Sequence, residues 1–242
     1  MPTLLMTRPQ GAAERFVAGL PDDLRRRLRP VYSPLIRIEP LKRQIEFGDA
    51  RGIIFTSANG VEVAAGLTPQ RHLPCYCVGA ATCDAARQKG WQAKTIAENA
   101  EGLIAGLHHF RPPGPLLHLR GRHARANVAA RLTALGLTTR EQVIYDQPVT
   151  SFNETALAAL TSRSAIIAPL FSPRTARQFA NLVTHYPPLS IAALSMAVAE
   201  SIKTLEYKRL VVSEKPDADM MAQAISMLIN GTHRVEGTGP AQ

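Results

Sequence analysis

The chain is poor in cysteine, in aromatics and in acid. Three cysteines (Cys75, Cys77 and Cys83) among 242 residues are too few for a disulfide scaffold, which points to a reducing, cytoplasmic setting. Aromatics are 5% of the chain with no stacking series, which argues against a single-stranded nucleic-acid binder. There is no run of 18 apolar residues to cross a membrane, and Met1–Pro9 shows no basic segment leading into an apolar one. The phosphate loop G-x-x-x-x-G-K-[ST], the dinucleotide fingerprint G-x-G-x-x-G and the nucleophile elbow G-x-S-x-G are all missing. Cys75-x-Cys77 lies in an apolar stretch without a second pair, and reads as buried thiols. His108-His109, His118 and His123 lack the spacing of a zinc pair, and His72, His185 and His233 stand alone. No metal and no cofactor are expected. Carboxylates are scarce in the turns, so paired-acid catalysis is not expected either.

What is present is apolar matter for real cores, 45% of residues, and an excess of base. The 28 Lys and Arg against 19 Asp and Glu leave a net charge of +9, which suits an anionic partner. The run Arg25-Arg26-Arg27-Leu28-Arg29, after Asp22-Asp23, reads as a solvated helix end.

The chain also repeats itself. Ile53-Ile54-Phe55-Thr56-Ser57 is echoed by Ala168-Pro169-Leu170-Phe171-Ser172, 115 residues later. Leu4-Leu5-Met6-Thr7-Arg8 is echoed by Leu116-Leu117-His118-Leu119-Arg120 at an offset of 112, and Tyr32 by Tyr145 at 113. Val78–Thr82 likewise matches Ala193–Ala197. This favours duplication of a unit of about 113 residues.

Each copy alternates short apolar strands with amphipathic helices, the pattern of parallel sheets covered on both faces. Expected strands include 3–7, 52–56, 75–78, 94–96, 116–119, 165–168, 190–193 and 209–212. Helices are expected at 11–19, 59–65, 81–89, 101–107, 125–135, 155–160, 173–182, 198–204 and 218–229. Gly90 and Gly136 stand at expected helix C-caps. Two proline-bracketed stretches, 30–40 and 142–148, break the alternation and read as connectors between two lobes. Lobe one is expected over 1–33 and 148–242, lobe two over 40–140, with linker strands at 34–39 and 141–147 and a cleft between the lobes. The tail 230–242 is expected to be disordered.

The candidate chemistry sits in the strand-to-helix turns, where free helix N–H groups, hydroxyls and arginines can seat a carboxylate or phosphate. These turns hold Thr7 and Arg8; Ser57, Ala58 and Asn59; Gly79 and Thr82; Arg120 and Gly121; Ser172, Pro173 and Arg174; and Ser195. As plain helix caps, Ser57, Thr82 and Ser172 need no other explanation. Many such seats around one cleft would suit a ligand with many negative charges.

In order and spacing, Leu5–Pro9, Ile53–Val61, Val78–Thr82, Leu119–Gly121, Val143–Tyr145 and Phe171–Pro173 resemble the uroporphyrinogen-III synthase family across most of the chain. The resemblance implies two flavodoxin-like, doubly wound α/β lobes joined by a two-stranded antiparallel linker. It implies a monomeric lyase of haem synthesis that closes hydroxymethylbilane, received from hydroxymethylbilane synthase, with ring D inverted and water lost. It implies that Tyr145 is the acid, and that Thr7, Arg8, Ser57, Thr82, Arg120 and Ser172 line carboxylate seats. Ala197 departs from the pattern, since relatives place Thr there, with Ser195 as a partial substitute. The rival readings are a two-lobe binding protein for a small anion, which lacks an export signal, and a basic nucleic-acid protein.

Overall fold

The computed structural model describes residues 1–124, 126–162, 164–183 and 188–230. In chain order the elements begin β1 (Thr3–Met6), α1 (Gln10–Ala18), α2 (Asp22–Arg26), β2 (Arg29–Tyr32), β3 (Glu39–Pro40), β4 (Gly52–Phe55) and α3 (Ala58–Leu67). Next come β5 (Cys75–Val78), α4 (Ala80–Gln88), β6 (Ala93–Ala97), α5 (Ala100–Phe110), β7 (Leu116–Gly121), α6 (Val128–Ala134) and β8 (Thr139–Asp146). The remainder is α7 (Glu154–Thr161), β9 (Ile166–Leu170), α8 (Pro173–Leu182), β10 (Leu189–Ala193), α9 (Met196–Glu200), β11 (Arg209–Val212) and α10 (Ala218–Asn230).

The chain divides into two compact units: Met1–Arg37 with the chain from Val149 onward, and Ile38–Pro148. The first unit carries a parallel sheet in the order β2-β1-β9-β10-β11. Counted within the unit this is 2-1-3-4-5, a doubly wound α/β winding. Helices cover both faces because the strands are apolar on both. Phe179, Ala156 and Val198 pack with Leu5, Ile166 and Ile191 on one face. Phe16, Val17, Ile225 and Leu228 pack with Leu4, Met6 and Ile167 on the other.

The second unit has the order β3-β8-β7-β4-β5-β6, parallel except that β3 runs antiparallel to β8. Apart from β3, this is again 2-1-3-4-5 counted from β7, but the chain enters it at β4. Its faces are packed by Val61, Ala64, Cys83 and Ala86 on one side and by Leu103, Leu107, Val128 and Leu132 on the other. Cys75, Cys77 and Cys83 are buried free thiols. Burial pushes the Cys77 thiol up to about 12 and that of Cys75 further.

The sequence repeat and the structural units therefore do not coincide. The first copy places β1 and β2 in one unit and β4, β5 and β6 in the other. The second copy places β7 and β8 in the latter and β9, β10 and β11 in the former. Each unit is assembled from parts of both copies. The crossings are marked by an antiparallel bridge, Ile36 to Val149, in the first unit and by the β3–β8 ladder in the second.

Several local expectations need correction. The stretches read as connectors contribute regular strands first. β2 belongs to the first sheet, and β8 stays paired with β7 through most of 141–147. The tyrosines of the repeat are not equivalent. Tyr32 pairs with Met6, whereas His118, the counterpart of Met6, pairs with Glu141. The helix expected at 198–204 spans Met196–Glu200, and that expected at 125–135 spans Val128–Ala134. Arg125, His185, His233 and the tail from Gly231 lie outside the described residues. The basic run does end a helix, α2. Gly90 and Gly136 follow α4 and α6 with φ of +92° and +82°, the left-handed backbone that glycine adopts freely.

Pro169 sits inside β9, where an N–H is normally required. Ile166 donates to Pro188 and Leu170 accepts from Leu194, both on the β10 side, so strand alternation turns residue 169 toward β1. The β1–β9 register ends at Leu4–Ile167, so Pro169 faces a point where no ladder bond is due.

Candidate active site

In a doubly wound sheet, ligands gather outside the carboxyl ends of the strands where the winding reverses. In the second unit that point lies between β7 and β4. A cavity of about 300 Å³ opens there, lined by Thr56 and Ser57 after β4, Arg120 and Gly121 at the end of β7, and His118, Glu141, Tyr145 and Gln147, with His123, Asn127 and Val128 ahead of and within α6.

Tyr145 owes its place to a bulge. The β7–β8 register shifts between Arg120 and Gly121, so that Gly121 faces Tyr145 and Ile144 is skipped. Simple alternation would put Ile144 and Tyr145 on opposite faces; the bulge lets both pack into one apolar cluster. The ring lies directly on Gly121: a Cβ there would stand 2.6 Å from Cε2 and Cζ. Tyr145 is 4% exposed. Burial raises its phenol above the ordinary value, against hydrogen bonds from Ser57 and the Gly121 backbone that pull it down. It is therefore a neutral phenol at neutral pH, able to donate a proton.

Ser57 caps α3, accepting from the Asn59 N–H at 3.2 Å. Ala58 and Asn59 form the first turn of that helix. Arg120 was expected to be a carboxylate seat, but its guanidinium is occupied. It donates to Glu141 Oε1 at 2.5 Å, to the Gly121 carbonyl at 2.9 Å and to the Arg122 carbonyl at 3.3 Å. This pairing holds the Glu141 carboxyl below its usual range. Asp146 is held down first by the Gln147 N–H and further by Arg122. Arg120 and Glu141 in the cavity wall, and Arg122 and Asp146 beside it, thus pair with each other.

His118, which lacks the spacing of a zinc pair, lines this cavity at 1% exposure. Its Nε2 is 3.2 Å from Thr56 Oγ1, and its Nδ1 has no partner. Desolvation holds the imidazole down at about 4, so it is neutral. A polar residue within Leu116-Leu117-His118-Leu119, on the face alternation assigns to Leu116, was the available signal.

Gly79 and Thr82 belong to the next turn, between β5 and α4. Gly79, at φ +73°, is the N-cap position, and Thr82 is buried in the first turn of α4 rather than capping it. In the first unit, Thr7, Arg8, Ser172, Pro173 and Arg174 lie at the carboxyl ends of β1 and β9, the reversal point of that sheet. Ser172 caps α8, accepting from the Thr175 N–H and donating to Thr175 Oγ1, with Pro173 opening the helix. Thr7 is fully buried and its hydroxyl has no partner. Arg8 stacks 4.0 Å over the Phe171 ring, and burial holds it down at about 10, helped by Arg15. Ser195 stands at the start of α9 without a capping bond.

The family model described as uroporphyrinogen-III synthase HemD matches residues 24–223, most of the chain and parts of both units. The chain belongs to the uroporphyrinogen-III synthase family. The fold agrees. The structure of uroporphyrinogen-III synthetase from Helicobacter pylori 26695 matches with a TM-score of 0.66 at 13% identity, over 94% of this chain and 100% of that one. A mutant uroporphyrinogen III synthase from the extremely thermophilic bacterium Thermus thermophilus matches with a TM-score of 0.49 at 13% identity, over 96% of this chain and 100% of its own. No curated protein sequence gives a significant match. Uroporphyrinogen-III synthases are lyase-type enzymes of haem synthesis acting on a small tetrapyrrole, and the two-lobe α/β architecture of this chain is theirs. No helix among the described residues is long and apolar enough to cross a membrane.

Proposed function

We propose that this protein closes the linear tetrapyrrole hydroxymethylbilane to uroporphyrinogen III, inverting ring D and releasing water as a hydro-lyase, with Tyr145 as the acid. The family match, running through both units, carries the reading. The substrate is flexible, and unassisted closure gives the isomer with ring D not inverted. The protein's task is to hold one conformer while the reacting carbons meet, which is where positioning contributes most.

The neutral Tyr145 phenol gives its proton to the departing hydroxyl, which leaves as water and generates an azafulvene-like cation. The substituted carbon of ring D attacks to form a spiro intermediate, which fragments and recloses inverted. The proton lost from the ring carbon at closure restores the phenol. The balance is one water out and no net redox change, so the reaction as written needs no oxidant or reductant. Supporting this role are the burial of Tyr145, its bonds to Ser57 and Gly121, and its place on the cavity wall.

The substrate carries eight carboxylates. Arg8, whose charge has no carboxylate partner among the described residues, is the strongest seat, with Thr7, Ser172, Pro173, Arg174 and Ser195 in the same unit. In the other unit Ser57, Ala58, Asn59, Gly79 and Thr82 serve through helix N–H groups and hydroxyls, while Arg120 and Gly121 frame Tyr145. We further propose a monomer working in the cytoplasm, supplied by hydroxymethylbilane synthase.

The test is to generate hydroxymethylbilane in situ, add the purified protein, oxidise the products and separate the isomers. Uroporphyrinogen III in excess of the buffer control is expected. Isomer I alone, at the uncatalysed rate, overturns the reading.

A further inference from the structure

The two units offer an internal comparison at the point where each sheet reverses. In the first unit the face beside β1 is apolar: Met6 is fully buried, and Tyr32 and Phe171 pack against the same cluster. By strand register, the equivalents in the second unit are His118, Glu141 and Thr56. Three apolar or aromatic places have become polar together, in the unit whose reversal point opens into the cavity. The winding itself does not require this, because its twin manages without.

The charged groups around the cavity are matched, Arg120 with Glu141 and Arg122 with Asp146. His118 is the exception to this matching. Nε2 meets Thr56 Oγ1, whereas Nδ1 is buried without a partner. In the tautomer whose Nε2–H donates to Thr56 Oγ1, Nδ1 presents a lone pair; in the other, Nδ1 carries the proton and is an unmet donor. A buried acceptor is tolerated where something completes it. The first tautomer is completed by an N–H donor and the second by an acceptor oxygen.

We propose that His118 holds the Nε2–H tautomer and is a substrate-binding residue whose Nδ1 accepts a hydrogen bond from a pyrrole N–H held in this cavity. The proposal rests on the tetrapyrrole reading and adds the group that recognises the ring rather than its acid side chains.

The variants separate the two ring nitrogens. His118→Asn keeps a polar group near the Nδ1 position, His118→Gln keeps one near Nε2, and His118→Met copies the twin unit. Each is first checked for folding by circular dichroism. With the wild type making isomer III, His118→Met and His118→Gln are expected to lose at least tenfold in kcat/KM, and His118→Asn less than threefold. Wild-type kcat/KM in His118→Met, or a loss in His118→Asn as large as in His118→Gln, overturns the proposal. Should the variants not fold, 15N-histidine NMR of the wild type with saturating uroporphyrinogen III decides. A shift of the His118 Nδ1 resonance is expected, and an unmoved resonance overturns it. A wild type that makes only isomer I is a different result, since it removes the tetrapyrrole reading itself.

Discussion

Tyr145 and His118 share one environment. Both are buried, and burial disfavours the charged form of each, which leaves a neutral phenol and a neutral imidazole at one cavity. If the phenol gives up its proton in the slow step, Tyr145→Phe removes the acid but leaves ring packing intact. The expected result is a fall in kcat of about a hundredfold, with KM changed less than threefold, in steady-state assays with isomer analysis. An unchanged kcat removes Tyr145 from the chemistry. His118 also bears on acid stability. Unfolded, its imidazole takes up a proton below about pH 6.5, whereas folded it does so only near 4. The unfolded state binds more protons in that window, so stability is full above 6.5 and falls as pH drops toward 4, by about 3 kcal/mol in all. Urea unfolding at pH 7.0 and 4.5 should show that loss in the wild type and a smaller one in His118→Met.

At the scale of elements, a cap and a bulge place the site. Ser57 and Ser172 end their strands and start α3 and α8 in the same way, each accepting from a helix N–H. Replacing either by Ala should cost about 1 kcal/mol of stability, read from thermal or urea midpoints. Only Ser57 also touches Tyr145, so Ser57→Ala should lower kcat as well, whereas Ser172→Ala should act on KM. Equal effects of the two on kcat would mean that the Ser57–Tyr145 contact is idle. The strands, most helices and these two caps were readable because apolar periodicity and capping chemistry are local. The bulge was not. An extra residue in β8 is a property of its pairing with β7, and Val143-Ile144-Tyr145 looks the same with or without it. Thr82 was misplaced for a related reason: with Gly79 at φ +73°, the turn starts α4 before the hydroxyl is reached.

For the whole molecule, the net charge of +9 faces a substrate of opposite sign. Long-range attraction between them is screened within about 8 Å at physiological salt. Raising ionic strength from about 0.05 to about 0.5 M, which shortens the Debye length roughly threefold, should lower kcat/KM several-fold, mainly through KM. A flat salt profile would confine the attraction to close contacts.

Residue order alone was enough for the α/β alternation, the duplication, the family and most of the strand-to-helix turns where the candidate groups sit. These depend on residue type and on spacing of a few positions, which survive without any knowledge of what packs against what. Which copy's strands share a sheet was decided by tertiary structure, because the copies join through β1–β9 and β4–β7, pairings between distant segments such as Thr3 with Ile166 and Gly52 with Leu116. So were the occupied state of Arg120 and the unmet nitrogen of His118. Glu141 reaches Arg120 only across the β7–β8 ladder, and whether a buried atom finds a partner depends on three-dimensional neighbours that the order of residues does not list.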